Sequence, residues 1–370
     1  MNFNLPVNGG AKQNQKKYMT LLIIFILLAC LYEFVNGFHD TANAVATVIY
    51  TKSMKPTHAV VWSGFMNFLG LITGGVGVTL AIVGLIPQEI LTDTNTSHMI
   101  QMVTALLVTA ISWNLLTWWK GIPASSSHTL IGALIGIGVG YSILTGADVI
   151  NWKKIYDIGQ ALLLSPLLGF SLVIILMWFL NRVIKRKDVF QEPDGVNPPP
   201  FWIRGILFTT CSLVSFFHGR NDGQKGIGLI MIILMAFLPG VYTLENVAHP
   251  PTWVMWIVAT SLGLGTMIGW KRIVVTIGEK IGKTHLTYAQ GASAELVAAI
   301  TIGLSTAFKL PVSTTHILSS GIAGSMVASK GVKNLKTSTL KTILSAWILT
   351  LPVTIVMSGG LFLLFRYIFG

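Results

Sequence analysis

Two short motifs in this sequence combine a proline, a run of hydroxyl residues and a histidine, and each leads into an apolar stretch: P-A-S-S-S-H at 123–128 and P-V-S-T-T-H at 311–316. A helix that starts at such hydroxyls offers free backbone N–H groups and a partial positive charge. With the hydroxyl donors, this chemistry suits a tetrahedral oxyanion. One copy alone would be an ordinary helix cap. Two copies favour an anion site with donors from Ser126, Ser127, Thr314 and Thr315 first, and Ser125 and Ser313 next.

A histidine closes each motif, His128 in the first and His316 in the second. We expect both to orient the neighbouring hydroxyl groups through hydrogen bonds, because a lone histidine in an apolar stretch is more often a structural group than a titrating one. Neither is assigned a catalytic role.

Carboxylates lie in and beside two polar stretches, N-G-F-H-D-T-A-N-A at 36–44 and H-G-R-N-D-G-Q-K-G at 218–226. Four polar residues around the first stretch are three or four positions apart and would share one face of a local helix: Glu33, Asn36, Asp40 and Asn43. In the second stretch, Asp222 and Lys225 are three apart and could pair. An ionisable group in a membrane span costs at least about 2.5 kcal/mol, which makes these residues functional candidates. The alternatives are that Asp40 and Asp222 only cap helices and that Glu33 is a structural carboxylate.

The composition places these motifs in a membrane. Of the 370 residues, 52% are hydrophobic and only 10% are charged, whereas soluble domains carry about 25% charged residues. The net charge of +12 would suggest nucleic acid in a soluble protein. Here the basic residues lie mainly in short connections between apolar blocks, so they are topology signals, and no nucleic-acid partner is expected.

A helix needs roughly 20 residues to cross a bilayer. The apolar residues form ten blocks of about this length or longer: 18–50, 57–84, 98–119, 123–145, 158–180, 204–238, 253–270, 286–308, 312–329 and 342–366. We divide the chain into four parts: an amino-terminal tail (1–17), a first transmembrane repeat (18–180), a cytoplasmic linker (181–203) and a second, inverted transmembrane repeat (204–370). Two blocks are too long for one straight span and have polar, glycine-containing centres. We predict a broken helix in each of them, 18–50 and 204–238.

Five spans in each half is an odd number, so the second half must cross the membrane in the opposite orientation to the first. The motifs repeat in the same order: Gly37–Asp40 matches Gly219–Asp222 at an offset of 182, and the two proline motifs match at an offset of 188. Many secondary transporters are built from inverted repeats with a site at the midplane. We therefore expect both hydroxyl-bearing helix starts to face one small anion there.

With these residues in view, the sequence resembles the inorganic phosphate transporter (PiT) family, and most closely its bacterial low-affinity members. The resemblance covers nearly the whole chain and is carried by G-F-H-D-T-A-N-A-V-A-T-V-I-Y, G-I-P-A-S-S-S-H-T-L-I-G, H-G-R-N-D-G-Q-K-G-I-G, T-M-I-G-W-K-R, T-I-G-E-K-I-G-K and L-P-V-S-T-T-H-I-L-S-S. It implies an all-α integral membrane protein of about 10–12 transmembrane helices in two inverted-topology repeats, with broken helices and re-entrant helical hairpins. It also implies a multi-pass homodimer in the bacterial inner membrane, which is the plasma membrane, and a phosphate site on Asp40, Asn43, Ser126, Ser127, Asp222, Thr314 and Thr315.

The sequence departs from the sodium-driven members, which resemble G-x-N-D-x-x-N in both halves. His39 replaces the first Asn, and Lys225 replaces the last. Sodium prefers oxygen ligands, and an ammonium in place of an amide oxygen repels it. We hypothesise that Lys225 stands in for a bound cation and that His39, Asp40 or Glu295 carries a coupled proton.

The prediction is therefore a symporter that imports inorganic phosphate with protons. Bacterial members of the family are thought to accept phosphate as a neutral complex with a divalent metal such as magnesium, which would lower the cost of entering a low-dielectric site. A sulfate transporter and a sodium-coupled phosphate symporter are the nearest alternatives. An intramembrane hydrolase that uses the serine and histidine of S-S-S-H is disfavoured, because nucleophilic catalysis needs an asymmetric site and this motif is duplicated. We expect that this protein is not an enzyme and that it binds no cofactor.

Overall fold

The computed structural model describes residues 9–91, 96–193 and 197–369, with the side chains at 9–15, 41, 43, 88, 91 and 96 outside that description. The described ranges form α-helices joined by short loops. The helices are α1 Gly9–Tyr50, α2 Pro56–Ile72, α3 Gly77–Val83, α4 Gln88–Leu91, α5 Thr96–Trp119, α6 Ser126–Thr145, α7 Trp152–Val183, α8 Phe201–Phe237, α9 Thr252–Met267, α10 Lys271–Val275, α11 Tyr288–Ala307, α12 Thr314–Lys330 and α13 Thr337–Phe369. A π-helical turn, Thr276–Lys280, follows α10.

Six of these helices contain stretches long and apolar enough to cross a membrane: Lys16–Tyr50, Ser97–Trp119, Ser126–Thr145, Trp152–Val183, Phe201–Phe237 and Thr337–Phe369. Two helix pairs are long and apolar enough together but are bent, as in a broken span or a re-entrant loop: α2 with α3 by 79° and α9 with the Lys271–Lys280 segment by 55°. Exposed aliphatic side chains on α7 and α13, such as Leu163 and Val356, give these helices a lipid-facing surface. The predicted all-α membrane fold with broken helices is confirmed, and with α11 and α12 the helical segments fall on the ten predicted blocks.

The predicted positions of the helix breaks are wrong. Both α1 and α8 run without interruption through the polar stretches that we expected to break them. The glycines there serve close packing instead: a Cβ on Gly37 would lie 2.3 Å from the carbonyl oxygen of Leu262, and one on Gly219 would lie 2.0 Å from that of Asn67. A glycine in a helix costs only about 1 kcal/mol relative to alanine, which tertiary packing offsets. The bends lie elsewhere, between α2 and α3 and between α9 and α10.

The motif helices α6 and α12 start side by side and end far apart. The rings of His128 and His316, in their first turns, have centroids 4.5 Å apart. α7 begins seven residues after α6 ends and spans 32 residues, about 48 Å at 1.5 Å per residue. Beyond the far end of α7, Glu192 forms a 2.8 Å ion pair with Lys330, the last residue of α12. The two helices therefore run from a common centre toward opposite ends of the molecule.

The basic connections gather at the end of the molecule where α12 ends. Here Arg204 donates to the carbonyl of Ser53 at 3.3 Å, and Lys336 donates to the carbonyl of Glu279 at 3.0 Å. These contacts and the Lys330 ion pair bring the loops between α1 and α2, α7 and α8, α10 and α11, and α12 and α13 to one end. By the positive-inside rule we expect this end to face the cytoplasm, and it is called the basic end below.

Candidate functional site

Asp40 is the point at which the two motif helices meet. Its carboxylate is buried, and a hydroxyl group donates to each of its oxygens: Ser126 Oγ donates to Oδ2 at 2.9 Å, and Thr315 Oγ1 donates to Oδ1 at 2.7 Å. Ser126 begins α6 and Thr315 is the second residue of α12, while Asp40 is on α1. One carboxylate thus occupies the space between two hydroxyl-bearing helix starts, which is where the repeated motif predicted an anion.

Ser125 and Ser313 cap these two helices in the same way. The Ser125 hydroxyl accepts from the backbone N–H of His128 at 3.2 Å, and the Ser313 hydroxyl accepts from that of His316 at 3.1 Å. Each cap satisfies one free amide of the first turn. The two serines therefore form the helix starts, and their predicted role as anion donors stays a prediction.

Lys225 links the second carboxylate to the hydroxyls of α6. Its ammonium lies 2.6 Å from Asp222 Oδ2 and donates to Ser127 Oγ at 2.8 Å, with Ser126 Oγ at 3.4 Å. Both members of the charge pair are fully buried, and a buried charge needs such a partner. The pairing of Asp222 with Lys225 follows the predicted three-residue spacing. The Ser127 hydroxyl also donates to the carbonyl of Val312 in the other motif, at 2.7 Å.

His218 connects the two carboxylates, although it is not among the site residues predicted from the sequence. Its Nε2 atom lies 3.6 Å from Asp40 Oδ2 and 3.4 Å from Asp222 Oδ2. Its Nδ1 atom lies 2.7 Å from Oδ1 of Asn67, whose amide nitrogen donates to Thr266. His218 precedes Asp222 by one helical turn and lies on the same face. A sequence prediction that treats α8 as continuous therefore places His218 beside Asp222. Asn67 gave no signal of this kind, since α2 reaches the site only through tertiary packing.

His39 lies on the other side of Asp40. Its Nδ1 atom is 3.3 Å from Asp40 Oδ1, and its Nε2 atom is 3.1 Å from the hydroxyl of Thr117 on α5. The predicted charge-coupling residue therefore contacts the central carboxylate directly.

The remaining motif residues surround this centre. The Thr314 hydroxyl is buried without a hydrogen-bond partner among the described residues, so its donor is unused there. His128 Nδ1 lies 2.8 Å from Ser125 Oγ, which is the contact that the predicted orienting role requires. His316 instead stacks between His128 and Trp347, whose ring centroids are 4.5 and 4.0 Å away. The orienting roles stay predictions.

Two predicted carboxylates lie outside the central cluster. Glu33 accepts from the amide of Asn36 at 3.2 Å, and its other oxygen has no partner in the described part of the chain. Glu295 on α11 accepts hydrogen bonds from the hydroxyls of Thr47 and Thr210. Both glutamates are fully buried. The side chain of Asn43, also predicted as a phosphate ligand, lies outside the described residues.

The central cluster is occluded and of mixed charge. Asp40, Asp222, Lys225 and His218 are all buried, so Coulomb interactions between them are stronger than at a surface. Ligand atoms of Asp40, His218 and Asp222 lie within 4.8 Å of one another, close enough to hold a metal ion together. The site thus combines hydroxyl and ammonium donors for an oxyanion with oxygen and nitrogen ligands for a cation.

Comparisons with known proteins identify the family of this chain. A model of the phosphate transporter family matches residues 36–201 and 190–358. The low-affinity inorganic phosphate transporter PitB of Escherichia coli (strain K12) is 35% identical, over 92% of this chain and 96% of that protein. The probable low-affinity inorganic phosphate transporter of Bacillus subtilis (strain 168) is 37% identical, over 95% and 99%. A solved structure titled "The sodium-dependent phosphate transporter" has the same fold, with a TM-score of 0.79 at 21% identity, covering 94% of this chain and 100% of that one. The chain is therefore an integral membrane protein that belongs to the phosphate transporter family.

Proposed function

We propose that this chain imports inorganic phosphate across the bacterial plasma membrane as a proton-coupled symporter. The phosphate transporters to which the chain is similar indicate the substrate and argue for transport rather than catalysis. One observation in the structure carries the proposal: hydroxyls from two separate helix starts donate to the two oxygens of the Asp40 carboxylate. Donors that converge on one carboxylate can also receive the oxygens of a tetrahedral anion.

The carboxylates favour phosphate over sulfate. Hydrogen phosphate keeps a proton that it can donate to Asp40 or Asp222, whereas sulfate has no proton to donate at neutral pH and is only repelled. Lys225 supplies a buried positive charge beside the same space. Phosphate therefore finds both donors and an acceptor there.

Alternating access is the transport mechanism that this arrangement supports. The motif helices start together and run to opposite ends, as expected for two inverted repeats joined at the predicted linker 181–203. In the present conformation the central residues are buried. Movement of one repeat relative to the other would expose them to one side of the membrane at a time. The resemblance to the PiT family implies that the functional form is a homodimer.

Glu295 is the best candidate for the coupled proton. It is buried on α11 between two threonine hydroxyls and lacks an ion-pair partner among the described residues. A carboxylate in such a place gains from binding a proton. Lys225 takes up the role of a fixed cation beside Asp222, which removes the need for sodium at that position.

A divalent metal that enters with phosphate would fit between Asp40, His218 and Asp222. The Nδ1–H of His218 donates to the side-chain amide oxygen of Asn67, and Nε2 faces the two carboxylates, so a metal could bind Nε2 when this atom carries no proton. Metal-binding histidines are held in this way by a partner on their other nitrogen. Magnesium and manganese prefer oxygen ligands, whereas an imidazole favours metals such as zinc.

Uptake by the purified protein in proteoliposomes tests the function, with pH, sodium and magnesium varied independently. We expect phosphate uptake without sodium, accompanied by acidification of the lumen. Sodium-dependent uptake at constant pH would overturn the proton coupling. Complete inhibition by an equal concentration of sulfate would overturn the choice of phosphate.

A further inference from the structure

A polar cavity lies at the basic end, beside the loop that leads into α6. Its volume is about 530 Å³, including the part open to solvent, against about 30 Å³ for one water molecule in the liquid. None of its ten lining residues is acidic. Six of them carry cationic or hydroxyl groups: Lys120, Lys280, Thr276, Ser338, Thr339 and Thr342. The cavity is therefore large and polar enough for a small hydrated anion.

The two lysines give this cavity an uncompensated positive charge. Within the described residues neither Lys120 nor Lys280 forms an ion pair. The neighbouring Lys336 bonds to the backbone carbonyl of Glu279, and the carboxylate of that exposed glutamate does not line the cavity. Two ammonium groups with adjacent hydroxyls are the donors that recognise phosphate oxygens.

The wall of this cavity is also connected to the central site. Pro123 lines the cavity and precedes Ser126 by three residues. Its carbonyl accepts a 3.0 Å hydrogen bond from the indole of Trp347, whose ring stacks on His316 at 4.0 Å. His316 follows Thr315, a donor to Asp40. Residues of the cavity wall are therefore linked to the central site through Trp347 and His316.

We propose that this cavity is a second phosphate site at the cytoplasmic mouth, which takes up the anion as it leaves the Asp40 site. The proposal rests on the proposed phosphate transport. It adds that affinity for phosphate at the cytoplasmic face depends on Lys120 and Lys280, whereas affinity at the outer face does not. A lipid phosphate headgroup has the same chemistry, and the test separates the two sources.

The experiment compares zero-trans phosphate uptake into everted and right-side-out membrane vesicles. For Lys120→Gln/Lys280→Gln we expect the KM for phosphate to rise about tenfold in everted vesicles and to stay unchanged in right-side-out vesicles. Lys120→Arg/Lys280→Arg should restore the KM, because the charges return. Uptake by the wild type in right-side-out vesicles tests the proposed function separately, so its failure is distinguishable.

The matched control is Lys55→Gln/Lys333→Gln, which removes two exposed charges from the same end but outside the cavity. An equal KM rise in this control would mean that only surface potential matters, and would overturn the proposal. A rise in both vesicle orientations, or in neither, would overturn it too. In proteoliposomes, if phosphatidylglycerol raises the cytoplasmic-face KM of the wild type but not of Lys120→Gln/Lys280→Gln, the cavity holds a lipid headgroup instead.

Discussion

The Nζ atom of Lys225 lies 2.6 Å from Oδ2 of Asp222, one turn earlier on α8, and both side chains are fully buried. Removing one member of such a pair leaves an uncompensated charge and costs about 3–5 kcal/mol. We expect Asp222→Asn to abolish phosphate uptake, to insert into the membrane and to unfold at a lower temperature. Uptake in proteoliposomes and thermal unfolding in detergent measure the two effects.

The double variant Asp222→Asn/Lys225→Met separates folding from transport. It removes both charges, so most of the stability should return, while uptake stays absent because the anion loses its cationic partner. Wild-type uptake in the single variant would refute the assignment of the site.

The identity of residue 225 should decide the response to sodium. The sodium-driven members of the family, from which this sequence departs at Lys225, have an asparagine there, which offers a carbonyl oxygen in place of an ammonium. We expect Lys225→Asn to make phosphate uptake increase with sodium at constant pH, because sodium could then approach Asp222. Lys225→Met, which lacks the oxygen ligand, is the control and should show no sodium response. An equal response in both variants would contradict the argument.

The two hydroxyl groups that donate to Asp40, those of Ser126 and Thr315, should each contribute to the affinity for phosphate. A hydrogen bond to a charged group contributes about 1.5–3 kcal/mol, so Ser126→Ala and Thr315→Val should each raise the KM for phosphate by roughly 10- to 100-fold. Thr129→Val is the control, since its hydroxyl bonds to the carbonyl of Ser125 within its own helix. Initial uptake rates over a range of phosphate concentrations measure the effect. A control as impaired as the two variants would show that α6 itself is disturbed.

Much of this site could be predicted because its features depend on residues that are close together in the sequence. Ser125 and Ser313 each lie three residues before a backbone amide that they cap, and such caps depend on adjacent residues alone. Duplication then indicated that the two caps belong to one site. The prediction failed where tertiary packing decides. Gly37 and Gly219 suggested breaks, but they are places where another helix approaches closely. The assumed break in α8 also hid His218, which shares a face with Asp222 only in a continuous helix.

Glu295 should control proton coupling rather than phosphate binding. If its carboxylate takes up the proton, uptake by the wild type should rise as the external pH falls, and Glu295→Gln should lose this dependence. The glutamine can accept from one of the two threonine hydroxyls with its oxygen and donate to the other with its amide nitrogen, so exchange of labelled for unlabelled phosphate should persist. Glu279→Gln, an exposed site, should behave as the wild type. The coupling assignment is wrong if Glu295→Gln still accumulates phosphate in response to a pH gradient.

Close packing between α1 and α9 should make Gly265 intolerant of any side chain. A Cβ at this position would lie 2.0 Å from the carbonyl oxygen of Phe34, so the two helices would have to separate. Overpacking of this kind costs about 1–3 kcal/mol, and Gly265→Ala should lower the temperature of unfolding. Gly159→Ala on α7 is the matched control: a Cβ there meets nothing within 4 Å, and alanine raises helix propensity by up to about 1 kcal/mol. Because α1 carries Asp40, separation of these helices should also reduce phosphate uptake, whereas the control should retain it. Equal stability of the two variants would mean that α1 and α9 do not pack this closely in the membrane.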